Sequence, residues 1–427
     1  MRFLLLGSGG RESALAWGLA RSNSVDELIA APGNPGIERL ATLETADIED
    51  PKAVLELTAR CKPDVVVVGP EAPLVAGVSD ALRAAGVKVF GPDGAAARIE
   101  GSKTYAKELM ERAGIPTGGW RVFEDLDQSI GYLDELGPPY VIKADGLAAG
   151  KGVVVTEDRD EAVAALKERL VDGRFGDAGK RVVVEEFLDG QEASVIAFVD
   201  GHDVLACEPA QDYKRVFDAD AGPNTGGMGS YSPVPACPPP LTSMVVEEVI
   251  RPMVQATAET GAPFVGALYA GLALTSKGPK VIEFNARFGD PETQALIPRL
   301  DSDLGEICSA CATGELAGMR ALWRPEACVA VVLASSGYPG SHETGFEITG
   351  LEAADRHDDV QVFHAGTSKD SSGVIRTSGG RVLAVSAVGA SFEKARQRAY
   401  DAAADIDFEG KHMRLDIADR AISRSPV

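Results

Sequence analysis

Short apolar runs spaced by amphipathic helical stretches organise residues 1–100 and leave little choice of fold. Phe3–Leu6, Glu27–Ala30, Val65–Val68 and Val87–Phe90 read as strands, with helices at Glu12–Ala20, Ala53–Arg60 and Val75–Ala85 between them. Strands of this length that are apolar on both faces belong in a parallel sheet covered by helices. Such sheets bind ligands outside the carboxyl ends of their strands, which here carry Gly7–Arg11, Pro32–Gly36 and Gly69–Leu74. The opening Met1–Leu6 is expected to be the first strand and not a leader peptide, because glycines follow a very short apolar run.

At 427 residues the chain is too long for one core. Three units are expected: 1–103, 104–326 with a flap subdomain over about 120–190, and 327–427, a separate small α/β unit opening on the strand Ala327–Ala334. The flap subdomain holds strands at Tyr140–Lys143, Gly152–Thr156 and Arg181–Phe187 and a helix near Glu161–Leu170. Longer elements resume at Ala193, interrupted by the Gly/Pro/Asn-rich stretch Ala221–Pro240. The net charge of −22, from 42 basic and 64 acidic side chains, repels nucleic acid and anionic membranes and excludes both as partners. An anionic substrate must therefore be held by a local cluster of cations. No apolar run has the length of a membrane span, and six scattered cysteines suit a reduced, cytoplasmic enzyme. Cys308 and Cys311 lie in an expected helix, Leu304–Leu316, without a second pair, and read as a helical face. The five histidines fall outside every motif, and zinc-protease and serine-hydrolase signatures are absent.

Four segments carry chemistry. Gly7-Ser8-Gly9-Gly10-Arg11-Glu12 joins a strand to a helix, where amides and the helix dipole attract phosphate. Glu12 occupies the third glycine position of a dinucleotide fingerprint, and no acid ends the second strand, so a phosphate monoester suits the turn better than NAD. A plain glycine turn with a surface Arg is the competing reading. Val141–Gly152, followed by Val153-Val154-Val155, fails as a P-loop in its glycine spacing, in Gly152 where Ser or Thr is required, and in the strand that follows. It fits a flap over a triphosphate, with Lys143 on the inner phosphates and Lys151 with the loop amides on the outer ones; an exposed hairpin with two lysines would read the same. Val182–Glu192 is either a simple connection or a hinge reading adenine, with Glu192 accepting ribose hydroxyls.

In Val281–Arg287 the strand period of two puts Glu283, Asn285 and Arg287 on one face and Ile282, Phe284 and Ala286 in a core. A carboxylate and an amide oxygen are hard ligands suited to Mg²⁺, with phosphates and water completing the shell, and Arg287 can balance charge on a transferring phosphoryl group. The turn Phe288-Gly289-Asp290-Pro291-Glu292 adds two acids that a surface Glu–Arg pair would leave unexplained. Gln211-Asp212-Tyr213-Lys214-Arg215 with the loop Gly222–Gly229 pairs cations with glycines and can hold a second anion, although Lys-Arg pairs are usually solvated.

In this order, Gly7–Glu12, Pro32–Gly36, Gly69–Leu74, Gly101-Ser102-Lys103, Ile142–Gly152, Glu185–Leu188, Pro223–Gly229, Tyr269–Leu272 and Ile282–Glu292 resemble the ATP-grasp superfamily and, within it, the phosphoribosylamine–glycine ligase family over nearly the whole chain. The resemblance implies an α/β and α+β multidomain protein: an ATP-grasp fold with an N-terminal parallel-sheet (pre-ATP-grasp) domain and a small C-terminal α/β domain. It implies ligation of glycine to 5-phosphoribosylamine with ATP and Mg²⁺, or Mn²⁺ in its place, giving glycinamide ribonucleotide, ADP and phosphate in purine biosynthesis. By the same resemblance Lys103, Lys143, Gly150, Lys151, Gly152, Glu186, Leu188 and Glu192 contact ATP, with Glu186 and Leu188 as the adenine hinge. Glu283 and Asn285 hold the metal, and Lys143 and Arg287 serve catalysis. Gly9, Gly10, Arg11, Asp212, Lys214, Asn224, Gly226, Gly227, Arg287 and Asp290 surround the other substrates. A monomer or weak homodimer is expected.

Three features depart from the family pattern. Ser13 and Tyr213 stand where histidines are expected, and Val216-Phe217 replaces a smaller, more polar pair; all three are expected on the phosphoribosylamine side. Tyr269-Ala270-Gly271-Leu272 also lacks the acid that many ATP-grasp enzymes carry there, so a second protein-held metal is not expected. The competing functions are another ATP-grasp carboxylate–amine ligase, a biotin-type carboxylase, and a silent nucleotide-binding protein. The last should have lost some of Lys143, Glu283, Asn285 and Arg287, and all four are present.

Overall fold

The computed structural model describes residues 1–147 and 152–423. Its N-terminal sheet is wholly parallel, with Thr42–Leu43, Glu27–Pro32, Arg2–Gly7, Val65–Val68 and Lys88–Phe90 side by side in that order. All of Val65–Val68 is buried, which is why these strands show no polar alternation. The strand order reverses between Arg2–Gly7 and Val65–Val68, so a crevice opens at Gly7 and Gly69. The helix expected over Val75–Ala85 is two helices, Glu71–Val75 and Val78–Ala84. They break at Gly77, whose φ of +83° an L side chain rarely adopts.

Two antiparallel sheets follow. Trp120–Phe123, Val182–Glu186, Tyr140–Ala144 and Val153–Thr156 form one. Helices Leu126–Leu136 and Arg159–Leu170 back it around a small core that includes Leu133, Ile142, Leu166 and Val184. The other comprises Val204–Ala206, Gln191–Asp200, Val265–Thr275 and Gly278–Asn285.

Apart from the hairpin Thr367–Lys369 with Ile375–Thr377, the last hundred residues share their sheet with the middle of the chain. Gln211–Asp212 pairs with Gly229–Ser232, from the glycine-rich interruption, and Gly229–Ser232 pairs onto Ala327–Ala334, which continues to Arg381–Gly389 and Val360–His364. Ala327–Ala334 is buried throughout, so both its edges need hydrogen-bond partners. Gly229–Ser232 supplies one edge although its composition, GSYS, carries no strand signal. Helix Phe392–Asp405, capped by Ser391 on Lys394 N, lays Ala395, Ala399, Ala402 and Ala403 on the core side. Among the described residues no helix is long and apolar enough to cross a membrane. Cys308 and Cys311 are free, buried side chains on helix Leu304–Thr313.

The C-terminal segment also docks on the N-terminal one. Ser13 Oγ donates to His364 O at 2.5 Å, and Asn34 Nδ2 donates to the same oxygen at 2.9 Å. The His364 ring is buried, and burial together with nearby Arg39 pushes its pKa down to about 4. Its unfolded value is near 6.5, so between the two the unfolded chain binds more protons and stability falls as the pH falls. Parent protein should lose up to about 3 kcal/mol from this one group between pH 6.5 and 4. Relative to each protein's own value at pH 7.5, the denaturation midpoint of His364→Gln should therefore fall less steeply over that window; parallel curves would remove His364 from the acid response.

Candidate active site

Strand Gly278–Asn285 does not keep the period of two that its sequence suggests. Gly271 pairs with Glu283 and Leu272 with Val281, so Ile282 is an extra residue in a bulge. Val281, Phe284 and Ala286 enter the core, whereas Ile282, expected there, is half-buried and lines a cleft. Glu283, Asn285 and Arg287 line the same cleft, as the strand reading requires. A bulge depends on the partner strand, so the sequence of this segment alone does not reveal it.

The cleft encloses about 1020 Å³ and draws on the N-terminal sheet, both antiparallel sheets and the C-terminal segment. Nine Lys and Arg side chains line it against ten Asp and Glu. With 42 basic and 64 acidic residues in the whole chain, this is the local concentration of cations an anionic ligand needs. The expected Arg11, Lys103, Lys143, Gly152, Glu186, Leu188, Glu192, Asp212, Lys214, Asn224, Gly226 and Asp290 come together here. Gly150 and Lys151 lie outside the described residues.

Gly9 and Gly10, expected against a phosphate, do not line the cleft. The protein's own carboxylate fills their turn: Gly9 N donates to Glu12 Oε2 at 2.7 Å, and Arg11 Nε donates to Glu12 Oε1 at 2.5 Å. Glu12 is 2% exposed, and a Cβ at Gly7 or Gly69 would collide with its side chain. The residue that breaks the dinucleotide fingerprint is thus what closes the loop, as the second half of a capping box. Gly227 is also off the cleft; at φ +112° it packs against Pro291, where a side chain would not fit.

Lys143 Nζ lies 3.0 Å from Glu185 Oε1 and donates to Ile282 O at 3.2 Å. Lys107, absent from the sequence reading, meets Glu185 Oε2 at 2.8 Å and donates to Thr117 Oγ1 at 2.8 Å. Burial works to raise the pKa of Glu185, but Lys143 and Lys107 outweigh it and keep the carboxylate ionised. A lysine four residues into helix Lys103–Ala113 has nothing in its local sequence to mark it as buried. Lys103 begins that helix, and its backbone N donates to Asp145 O at 2.9 Å, which ties it to the end of strand Tyr140–Ala144.

Arg287 sits between two carboxylates to which the sequence assigns no role, Glu71 in the segment Gly69–Leu74 and Glu100 outside any motif: NH2 is 2.9 Å from Glu100 Oε1, and Nε is 3.2 Å from Glu71 Oε2. Burial opposes the charge on Glu71, but Arg287 and Arg11 pull its pKa down to about 2. Glu283 behaves likewise, held below the ordinary carboxylate range against burial by Lys214, Lys143, Lys103 and Arg287. Asn285 is assigned by its partners with its nitrogen donating to Glu100 Oε1 and Phe284 O, both at 3.3 Å. Glu283 and the Asn285 oxygen fit a divalent ion that takes its other ligands from a nucleotide and water. Among the described residues no group of three or more His, Cys, Asp and Glu could hold an ion unaided.

On the far side, Lys214 Nζ pairs with Glu192 Oε2 at 2.6 Å. Asp212 is pushed well above the ordinary carboxylate range, by burial first and then by Glu292 and Glu192, with Lys214 opposing. Glu292 is buried and accepts from Ser194 Oγ and Tyr269 OH, each at 3.0 Å. The C-terminal segment adds Arg381, which donates to Gly226 O at 2.7 Å and Asp290 O at 2.8 Å and pairs with Asp290 Oδ2 at 3.0 Å. No motif surrounds Arg381 in the sequence. Ser13, Tyr213, Val216 and Phe217, expected near a substrate, are not among the lining residues. Tyr213 instead packs under the guanidinium groups of Arg414 and Arg420, at 4.7 and 4.6 Å from its ring centroid.

The chain matches the phosphoribosylglycinamide synthetase N domain over residues 1–100, its ATP-grasp (A) domain over 101–293 and its C domain over 328–420. It is 50% identical to the phosphoribosylamine–glycine ligase of Rhizobium meliloti (strain 1021) and 51% identical to that of Mesorhizobium japonicum, in each case across 99% of both chains. The crystal structure of the Thermotoga maritima phosphoribosylamine–glycine ligase superimposes with a TM-score of 0.85 at 35% identity, covering 97% of this chain and 100% of that one. A biotin carboxylase from Campylobacter jejuni, solved as a beta-gamma-ATP complex, shares the fold at a TM-score of 0.74 and 14% identity, covering 100% of this chain and 95% of that one. Three consecutive domain matches and half-identity over full length agree with the cleft that these same segments build: the chain belongs to the phosphoribosylamine–glycine ligase (phosphoribosylglycinamide synthetase) family.

Proposed function

We propose that the cleft ligates glycine to 5-phosphoribosylamine at the expense of ATP, forming glycinamide ribonucleotide, ADP and phosphate for purine biosynthesis, by way of glycyl phosphate. The observation that carries this reading is the convergence of Lys103, Lys143, Glu283, Asn285 and Arg287 on one cleft in a chain half-identical to named ligases. The alternative of an inactive nucleotide binder would leave such a set of buried, mutually paired charges without a purpose. ATP is assigned to Lys103, Lys143, Gly152 and the hinge Glu186–Leu188, with Gly150 and Lys151 assigned from sequence alone. The carboxylate of Glu192, paired with Lys214, stands at the ribose end. A monomer or weak homodimer in a cytoplasmic setting belongs to the same proposal, and the six scattered cysteines suit that setting.

A carboxylate oxygen is a poor leaving group, so the glycine carboxyl must be activated before an amine can displace it. One glycine carboxylate oxygen attacks the γ-phosphorus of ATP, the bond to the bridging oxygen breaks, and ADP leaves. Lys143 and Arg287 offset the charge on the transferring phosphoryl group. A divalent ion held by Glu283 and Asn285, when bound, neutralises phosphate charge and fixes the phosphate orientation. The phosphoribosylamine nitrogen then attacks the acyl carbon, and the carbon–oxygen bond to phosphate breaks. Arg11, Asp212, Lys214, Asn224, Gly226, Asp290 and Arg381 surround the space assigned to glycine and the phosphoribosyl group. No Ser or Cys activated by a neighbouring base lines the cleft among the described residues, which favours direct acyl phosphate chemistry over a covalent enzyme intermediate.

Glu283→Gln should fold like the parent, judged by circular dichroism, and lose roughly 10²-fold or more in kcat in a coupled ADP assay. Near-parental turnover at limiting Mg²⁺ would take Glu283 out of the metal site. In the same assay ADP release should require both glycine and freshly made phosphoribosylamine; release with another acid and amine would redirect the assignment to a different carboxylate–amine ligase. Glycine labelled with ¹⁸O in its carboxylate should transfer one labelled oxygen to the released phosphate. Unlabelled phosphate, or a phosphorylated protein trapped on quenching, would exclude glycyl phosphate.

A further inference from the structure

Glu100 is the last residue but one of helix Gly94–Gly101 in the N-terminal unit, just before helix Lys103–Ala113, and nothing in its local sequence marks it as functional. Its carboxylate is buried and meets three consecutive residues of the phosphate-facing segment. Oε2 accepts from Ala286 N at 2.7 Å, Oε1 pairs with Arg287 NH2 at 2.9 Å, and the Asn285 amide nitrogen lies 3.3 Å from the same Oε1. A buried carboxylate is costly to keep unless its lone pairs are used, and here these bonds all fall on residues 285–287.

The contact to Asn285 bears on chemistry more than on folding. An amide turned over about its terminal bond occupies nearly the same volume, so packing alone does not decide whether oxygen or nitrogen faces the cleft. Only the oxygen can bind a cation. Glu100 Oε2 accepts from Ala286 N and Oε1 lies beside Arg287 NH2, so both oxygens face donors and act as acceptors; Glu100 therefore draws the nitrogen to its own side. We infer that Glu100 is a positioning residue for metal binding: it sets the Asn285 amide oxygen-outward and holds Arg287 beside it, from a unit of the chain that supplies no ligand itself. The inference rests on the reading of Glu283 and Asn285 as the metal pair.

The test compares full-length parent, Glu100→Gln, Glu100→Asp and Glu283→Gln. Mn²⁺ affinity is measured by electron paramagnetic resonance with a non-hydrolysable ATP analogue present, alongside the thermal midpoint and the KM for glycine. The amide introduced by Glu100→Gln can donate to the Asn285 oxygen and so permits the inverted orientation. Glu100→Gln should weaken Mn²⁺ binding about 10-fold or more, leave the KM for glycine within about twofold, and bind metal-free nucleotide like the parent. Adding Asn285→Asp should restore Mn²⁺ binding in the Glu100→Gln protein, because Asp presents oxygen either way up. In the parent background the same change should not help, since two carboxylates would then face one another. Glu100→Asp keeps the charge but draws it back from Asn285, and should lose a smaller part of the affinity; it carries the comparison if Glu100→Gln is unstable. Unchanged Mn²⁺ affinity in both Glu100 variants, or a loss that Asn285→Asp does not repair, would overturn the inference. If Glu283→Gln also leaves Mn²⁺ affinity unchanged, the metal assignment itself fails; if only Glu283→Gln weakens it, the assignment stands and the role of Glu100 does not.

Discussion

A charged group taken out of water must be matched by an opposite charge or by several hydrogen bonds, and the cleft of this protein is built around that requirement. Arg287 is the clearest case. It lies between Glu100 and Glu71, and Arg11 shares Glu71 at 3.8 Å. Both carboxylates belong to the N-terminal parallel-sheet unit, while Arg287 follows a strand of the larger antiparallel sheet. The ion pairs therefore do more than neutralise charge: they register two layers of the fold against each other at the cleft that both of them line.

The same logic operates on the other wall. Lys143 and Lys107 approach one carboxylate, Glu185, from two different elements, and Lys143 also reaches Ile282 O across the cleft. The carboxylate is part of strand Val182–Glu186, which pairs directly with the strand carrying Lys143. Lys143 is thus already oriented by the protein, so little of its side-chain freedom remains to be lost on binding an anion. Because acids and bases are nearly balanced within the cleft, an anion is met there by local cations in spite of the chain's net charge of −22.

The C-terminal segment belongs to this arrangement through hydrogen bonding as much as through packing. Its central strand, Ala327–Ala334, pairs with Gly229–Ser232 of the middle of the chain. Arg381, on the strand along its other edge, holds both the Gly226–Gly227 turn and Asp290. Ser13 and Tyr213, expected on the substrate side, sit at such junctions. Ser13 donates to the His364 backbone, and the Tyr213 ring packs under arginines of the C-terminal segment. Residues that look functional by sequence position make structural contacts here.

Local sequence determined the parallel sheet, its first two helices, three of the four flap strands and the grouping of Glu283, Asn285 and Arg287, because each depends on short-range periodicity and turn chemistry. The order of the motifs was enough to assign the family. The Ile282 bulge, the closing of the glycine turn by Glu12, the strand at Gly229–Ser232 and the roles of Glu71, Glu100, Lys107 and Arg381 were decided only by tertiary structure. Each of these depends on a partner distant in the chain: Ile282 on the strand it pairs with, Lys107 on Glu185, Arg381 on Asp290. Even Glu12, whose bonds are local, is recognisable as a buried cap only once Gly69 has been brought against it. Periodicity reports which side of an element meets the core. It does not report which buried charge meets which, because that is fixed by the packing of elements far apart in the chain.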